Sequence, residues 1–237
     1  AIDQGSSRLT LIDDALGALG DDEPQLRVEL LTRLAGSLNY SAEVTRRDSL
    51  LDEALEVARS LGLPEALCTV TAVRSLVAWQ PDDLAARRQQ AEVMSDLAVR
   101  AGSRHFMLES RRLRVAAMLD AGDLAALDAA LADHAALADE GFGVHRWRAA
   151  MWRTMRCLLD GQYTDAERAI AAAQELARTV GHPDTFFWFA AQLLQLRWDQ
   201  DRLDELEGSV GSLVESSPAM PLWRCVLAAL CADLGRI

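Results

Sequence analysis

Apolar residues recur along most of this chain at spacings of three and four, which is the period of an α-helix. The two clearest stripes are Leu51, Ala54, Leu55, Ala58 and Leu61 in one segment, and Ala166, Ala169, Ile170, Ala173 and Leu176 in another. Acidic residues such as Glu53, Glu56 and Glu175 fall off these stripes, toward water. No strand signal interrupts the pattern, which therefore predicts amphipathic helices throughout.

Turn-forming residues divide the helical segments at regular intervals. The first series consists of glycines 39 to 42 residues apart, namely Gly20, Gly62, Gly102, Gly141 and Gly181. The second series lies half a period away, at Pro81-Asp82, Gly122-Asp123, Gly161-Gln162 and Asp201-Arg202. A period near 40 with two turns predicts a stack of helical hairpins. We expect Gly62, Gly102, Gly141 and Gly181 to close helices, most with a positive φ, because glycine accepts the left-handed backbone.

The two turn series define two helices per repeat. Helices that end at the first series, here called B helices, are predicted at 6–19, 43–61, 83–101, 123–139, 163–180 and 202–215. Helices that end at the second series, here called A helices, are predicted at 24–39, 64–79, 103–120, 144–160, 184–199 and 220–234. The fold prediction is an all-α right-handed solenoid of five to six hairpins, forming a single domain over residues 1–237. Because 234–237 resembles the turn into a further repeat, we expect a fragment of a longer chain.

The residue types present exclude several kinds of chemistry. All 24 basic residues are arginine, so a P-loop lysine, a Schiff-base lysine and a Ser-Lys dyad are impossible. The four histidines lie in no His-Glu-x-x-His motif, and Gly-x-Ser-x-Gly does not occur. We therefore expect a protein that is not an enzyme, with no catalytic residues, no metal site and no cofactor.

Charge and hydropathy bear on partners and location. The net charge of −12 disfavours direct contact with nucleic acid or an anionic membrane. No apolar run approaches the ~18 residues of a membrane span, and the polar start does not resemble a signal peptide. The four cysteines lack the spacing of zinc or redox motifs, which fits a reducing compartment. We expect a cytoplasmic protein.

One segment carries a family resemblance. Gly161-Gln162-Tyr163-Thr164-Asp165-Ala166-Glu167, followed by Ala173, matches the turn and the two small-residue positions of tetratricopeptide hairpins. The chain resembles that family over nearly its whole length, with a period longer than the usual value of about 34. Its alanine- and arginine-rich repeats are similar to the helical sensor region of large ATP-binding bacterial regulators of the LuxR or MalT type. In that family a nucleotidase module precedes the repeats and a helix-turn-helix follows them. The resemblance implies a sensor or interaction module whose A helices line a concave face.

Arginine, tryptophan and methionine concentrate in the A helices, most densely over residues 146–156. Aligning the repeats predicts one concave groove for partner binding, formed by Arg112, Arg148, Met151, Met155, Trp188 and Gln195. These residue types are favoured at protein interfaces. The run Phe186–Phe189 contains four consecutive aromatics, which one helix cannot bury on a single stripe. We expect at least one of them to reach the groove or a partner surface.

The arginines allow a second interpretation. Arg111, Arg112 and Arg114 can pair with carboxylates of neighbouring B helices and form a solvated ion-pair lattice of small energetic value.

Three functional hypotheses follow from these patterns. The first is a non-enzymatic interaction or sensor module of a bacterial signalling or transcriptional regulator, which binds in its groove a protein or peptide, acidic or phosphorylated, or a small effector. The second is a structural spacer or self-association segment, with a homodimer as one arrangement. The third is a binding or catalytic solenoid for an anionic small molecule.

Overall fold

The computed structural model describes residues 2–20, 22–39, 41–77, 84–138, 143–181, 185–216 and 221–236, with side chains from residue 9 onward. Within these ranges the chain forms α-helices and no strand, so the all-α prediction is confirmed. The helices are α1 (Ile2–Ala18), α2 (Pro24–Ser37), α3 (Val44–Leu61), α4 (Pro64–Val77), α5 (Leu84–Ala101), α6 (Arg104–Asp120), α7 (Leu124–Ala138), α8 (Gly143–Leu159), α9 (Tyr163–Val180), α10 (Thr185–Asp199), α11 (Glu207–Ser216) and α12 (Pro221–Asp233).

Each predicted A or B helix corresponds to one helix of the structure. The odd-numbered helices are the B helices and the even-numbered helices are the A helices. Most predicted ends agree within two residues; α1 is an exception, because it begins at Ile2 rather than at residue 6. The last B helix also differs, since a short 3-10 helix, Leu203–Leu206, precedes α11.

Left-handed residues close helices of both types. Gly62 follows α3 with a φ of 64°, and its N–H donates to the carbonyl of Arg59. Gly181 follows α9 with a φ of 61°. Gly102 is also left-handed, whereas Gly141 lies outside the described residues. Left-handed residues also occur at the second turn series, at Gly122, Gly161 and Asp201, and after α12 at Gly235. From the sequence, left-handed closure was expected only at the first series.

Helix starts are also set by local chemistry. Pro24, Pro64 and Pro221 occupy the first positions of α2, α4 and α12, where a missing N–H is harmless. Before α7, the Asp123 side chain accepts a hydrogen bond of 3.0 Å from the N–H of Ala126. This bond satisfies one of the free amides of the first turn. The predicted break at Pro81-Asp82 lies outside the described residues.

The chain divides into two compact units, Ala1–Leu137 and Ala138–Ile237. In the first unit, α2 packs on α3, α4 on α5, and α5 on α6, while the A helices α2, α4 and α6 contact one another in sequence. Small residues allow close approach at the first of these contacts, where Ala54 and Ala58 of α3 meet Val28 and Leu31 of α2. A second cluster joins Cys68, Met94 and Leu113 across α4, α5 and α6, and is likewise buried.

In the second unit, α8 packs on α9, and α10 contacts both. Ala166 and Ile170 of α9 form a buried cluster with Leu196 of α10. Leu203, Val210 and Leu230 form another, which joins the 3-10 helix and α11 to α12. Each unit therefore has core clusters of its own. That the whole chain forms one continuous domain stays a prediction.

Candidate functional site

The A helices of the second unit lie side by side. The Gln192 Nε2 atom of α10 donates a hydrogen bond of 2.7 Å to the Met151 carbonyl of α8. On the other side of α10, the Phe187 ring stacks on Trp223 of α12, with centroids 6.1 Å apart and planes 15° apart. One polar and one aromatic contact thus join α8, α10 and α12.

The four consecutive aromatic residues of α10, Phe186–Phe189, differ in burial. Phe189 packs half-buried against the cluster that contains Ile170. Phe186, Phe187 and Trp188 remain 48%, 36% and 49% exposed. The expectation that one helix cannot bury four consecutive aromatics is confirmed. The result is an exposed aromatic surface at the start of α10.

Four of the predicted groove residues lie on adjoining faces of α8 and α10. Residues 148, 151 and 155 share one stripe of α8, and 188, 192 and 195 share one stripe of α10. The Gln192–Met151 bond joins these stripes. We call the residues Arg148, Met155, Trp188 and Gln195 the α8/α10 surface. Arg148 and Met155 are half-buried, whereas Trp188 and Gln195 are exposed.

The other two predicted residues take different positions. The Met151 side chain is only 4% exposed, so it packs inside the second unit and does not present a contact surface. The stripe it shares with Arg148 is the one that meets α10, which explains its burial. Arg112 belongs to the first unit, where its Nε lies 2.6 Å from the Glu109 carboxylate on the same helix. The α8/α10 surface is therefore defined without Met151 and Arg112.

Several A-helix arginines pair with carboxylates of neighbouring B helices. The pairs of known distance are Arg27 with Glu53 at 2.8 Å, Arg111 with Asp133 at 2.7 Å, and Arg197 with Glu167 at 2.6 Å. Arg74 pairs with Asp52 in the same way. The lattice interpretation therefore holds for these positions, Arg111 included. Each such pair is worth about 1 kcal/mol or less, because the side chains are partly solvated.

The ion pairs also fix protonation states in the second unit. The Arg197 guanidinium lowers the pKa of Glu167, and Arg202 followed by Arg197 lowers the pKa of Glu205. Both carboxylates stay ionised near neutral pH. In the first unit, burial and then the charge of Glu65 raise the pKa of the Cys68 thiol to about 11. A thiol held protonated is a poor nucleophile, and a carboxyl held ionised is a poor general acid.

The first unit contains a cleft of about 670 Å³ that is lined by α5, α6 and Asp133 of α7. Its α6 wall presents Met107, Arg111, Arg114 and Met118, which share one helical stripe. Its α5 wall includes Arg88, Glu92 and Ser95, again on one stripe. We call this feature the arginine cleft.

Two residues of the arginine cleft stand out in the sequence, although the cleft itself was not predicted. Arg111 and Arg114 stood out in the arginine-rich stretch of α6, and their spacing of three places them on one face. Arg88 did not stand out, because nothing in one sequence says which face of α5 meets that stripe. Repeat alignment selected Arg112, whose side chain pairs with Glu109 and is not part of the cleft lining.

Two further features of the described chain concern metals and membranes. Among the residues that the structure describes, no three His, Cys, Asp or Glu side chains come together as a metal site. None of the described helices has both the length and the apolar character needed to cross a membrane.

Comparison with known proteins assigns no family or function to this chain. No protein-family model matches the chain, and neither the curated proteins nor the solved structures gave a match.

Proposed function

We propose that this chain is a non-enzymatic interaction module that binds a protein or peptide partner through the α8/α10 surface. The observation that carries the proposal is the exposure of Trp188, 49% of which faces solvent on a helix face adjoining that of Arg148. Tryptophan and arginine anchors dominate the energetics of protein interfaces. Met155 and Gln195 extend the same surface with one apolar and one polar side chain.

An acidic segment with an apolar anchor is the partner that fits this surface best. Guanidinium groups pair bidentately with carboxylates, and an indole offers a large apolar area with few rotatable bonds. Further apolar side chains are exposed on α10 and α12, where Phe186 and Leu222 are 48% and 55% exposed. The partner therefore combines Asp or Glu with an aromatic or aliphatic residue.

We further propose that the hairpins stack as a right-handed tetratricopeptide-like solenoid with a period of about 40 residues. The support is the sequential contact of α2 with α4, α4 with α6, and α8 with α10. Left-handed caps at Gly62, Gly102 and Gly181 recur with the same period. Stacked repeats present extended surfaces for partners, which suits an interaction module.

The biological setting is proposed from the sequence resemblance alone. We place the chain in the helical sensor region of a bacterial transcriptional regulator of the LuxR or MalT type. In that setting the α8/α10 surface receives the signalling partner, and the chemistry belongs to other modules.

Selection from a displayed library of random peptides, with the whole chain as bait, tests the proposal. We expect the selected peptides to share acidic residues beside an apolar anchor. Titration calorimetry with a selected peptide should show that Arg148→Glu and Trp188→Ser each weaken binding at least tenfold. Affinity should fall as salt rises from about 0.05 to about 0.5 M, because exposed charges are screened over ~10 Å at 0.1 M.

Arg146→Glu is the matched control, because Arg146 is exposed on another face of α8. It carries the same charge reversal and should leave affinity within about twofold. Circular dichroism checks that each variant keeps its helicity. The proposal is wrong if the selected peptides bind Arg148→Glu and Trp188→Ser unchanged, or if the selected sequences are basic.

Self-association is the second candidate function, and the exposed apolar side chains of Phe186, Trp188 and Leu222 favour it. Sedimentation velocity over a hundredfold range of protein concentration separates the two. A dimer that Trp188→Ser dissociates supports self-association, whereas a monomer throughout the range excludes it.

A further inference from the structure

The arginine cleft of the first unit has the size and charge of a small-molecule site. Its volume of about 670 Å³ falls within the range of known ligand sites, roughly 300–1,000 Å³. Ala91 and Ala117 are buried in its lining, and Met107 and Met118 add apolar surface. Polar side chains of α5, α6 and α7 lie around these apolar residues. An apolar base with a few placed charges is the usual composition of a ligand site.

The cleft has more positive than negative side chains. Three guanidinium groups, on Arg88, Arg111 and Arg114, face two carboxylates, on Glu92 and Asp133. Asp133 is held by Arg111, with 2.7 Å between Oδ2 and Nε. Arg88 and Arg114 are exposed and form no ion pair with any carboxylate in the described part of the chain. The cleft is therefore locally basic in a protein whose net charge is −12.

One buried donor of the cleft has no acceptor. The Nη1 atom of Arg111 is shielded from solvent, yet no hydrogen-bond partner for it lies among the described residues. A buried donor left without an acceptor costs roughly 1–3 kcal/mol. The ion pair with Asp133 fixes the guanidinium by Nε, so the Arg111 side chain is held in place in the wall of the cleft. A ligand oxyanion in the cleft therefore meets Arg111 as a fixed positive charge.

We propose that the arginine cleft binds a small dianion with an apolar body, such as an aromatic phosphate monoester or dicarboxylate. The anionic group lies against Arg88, Arg111 and Arg114, and the apolar body contacts the methionine and alanine floor. A dianion is favoured over a monoanion because two guanidinium groups of the cleft, on Arg88 and Arg114, have no carboxylate partner in the described part of the chain. The inference goes beyond the proposed function and is independent of it, since the two sites share no residue.

Calorimetric titration of the whole chain with four probes tests the inference. The probes are phenyl phosphate, phthalate, inorganic phosphate and phenol, at low ionic strength. We expect phenyl phosphate or phthalate to bind, inorganic phosphate to bind more weakly, and phenol not to bind. The tighter of the first two identifies whether the natural dianion is a phosphate ester or a dicarboxylate.

Substitutions locate the binding. Arg88→Gln and Arg114→Gln should each weaken the binding of the better dianion about tenfold, as expected for losing one charge-assisted donor. Ser95 is exposed on the α5 wall, so Ser95→Glu adds a negative charge without removing a contact and should abolish binding. Ser95→Gln controls for the added bulk and should keep most of the affinity.

Arg33→Gln is the matched charge control. Arg33 lies about two repeats before Arg114 at the equivalent A-helix position, and it is exposed outside the cleft. It should leave dianion affinity unchanged. The inference is overturned if neither dianion binds at about 5 mM, if phenol binds as well as phenyl phosphate, or if Arg33→Gln weakens binding as much as Arg114→Gln. We expect Trp188→Ser to leave dianion binding intact. Failure of the dianion experiment can therefore be distinguished from failure of the peptide experiment.

Discussion

At the scale of single residues, the left-handed glycines affect stability through their backbone conformation alone. A Cβ added at Gly62 or Gly181 meets no atom within 4 Å, so the cost of a side chain there comes only from the backbone. The left-handed conformation costs an ordinary residue about 1 kcal/mol or more. These positions therefore measure the strength of helix closure without a packing contribution.

We predict that Gly62→Ala and Gly181→Ala each destabilise the protein by about 1 kcal/mol. The matched control is Gly208→Ala inside α11, where a Cβ also meets nothing and φ is not positive. That change should stabilise the protein, by up to about 1 kcal/mol, because alanine is the better helix former. Urea denaturation measures all three. Equal effects of the three substitutions would contradict this account of helix closure.

The cysteines provide a second test at this scale. Cys68 is fully buried, and its pKa of about 11 keeps it protonated at pH 8, whereas Cys225 is exposed. We predict that Ellman's reagent modifies Cys225 rapidly in the native protein and reaches Cys68 only after denaturant is added. Cys225→Ser should remove the fast phase. Peptide mapping that finds Cys68 labelled as fast as Cys225 would show that the first unit opens readily.

At the scale of helices, two kinds of information in the sequence act together. Periodic stripes show where helices run, and turn residues such as Gly62 and Gly161 show where they stop, so most helix ends were predicted within two residues. The 3-10 start of the last B helix was missed, because a 3-10 turn has no periodicity of its own at this length. Side-chain direction was also harder to predict. Met151 shares a stripe with Arg148, and only the packing of α10 on α8 shows that it is buried.

Small residues set how closely the helices of a hairpin approach. Ala166 of α9 is fully buried against a cluster that includes Leu158 and Leu196. We predict that Ala166→Leu destabilises the protein by about 1–3 kcal/mol, because three added carbons have no space in a packed contact. Ala172→Leu, at an exposed position of the same helix, should change stability by less than about 0.5 kcal/mol. Thermal and urea denaturation give both values, and similar losses for the two variants would contradict the tight contact.

At the scale of the whole molecule, the two candidate sites belong to different units. The α8/α10 surface was predicted in part from repeat alignment, because aromatic and arginine residues recur at equivalent A-helix positions. The arginine cleft was not predicted, because it depends on how three successive helices face one another. Repeat alignment compares equivalent positions and gives no information about such differences between repeats.

The division into two units predicts how the molecule responds to local damage. Leu34 of α2 and Leu196 of α10 are both fully buried, and each belongs to a different unit. Leu34→Ala and Leu196→Ala should each cost about 2–5 kcal/mol through the cavity left behind. Because each unit has its own core clusters, and repeat stacks are stabilised by nearest neighbours, the loss should remain local. We predict that hydrogen exchange measured by mass spectrometry accelerates mainly in α2–α6 for the first variant and in α8–α12 for the second. Acceleration spread equally over the whole chain in both variants would instead support a single cooperative domain.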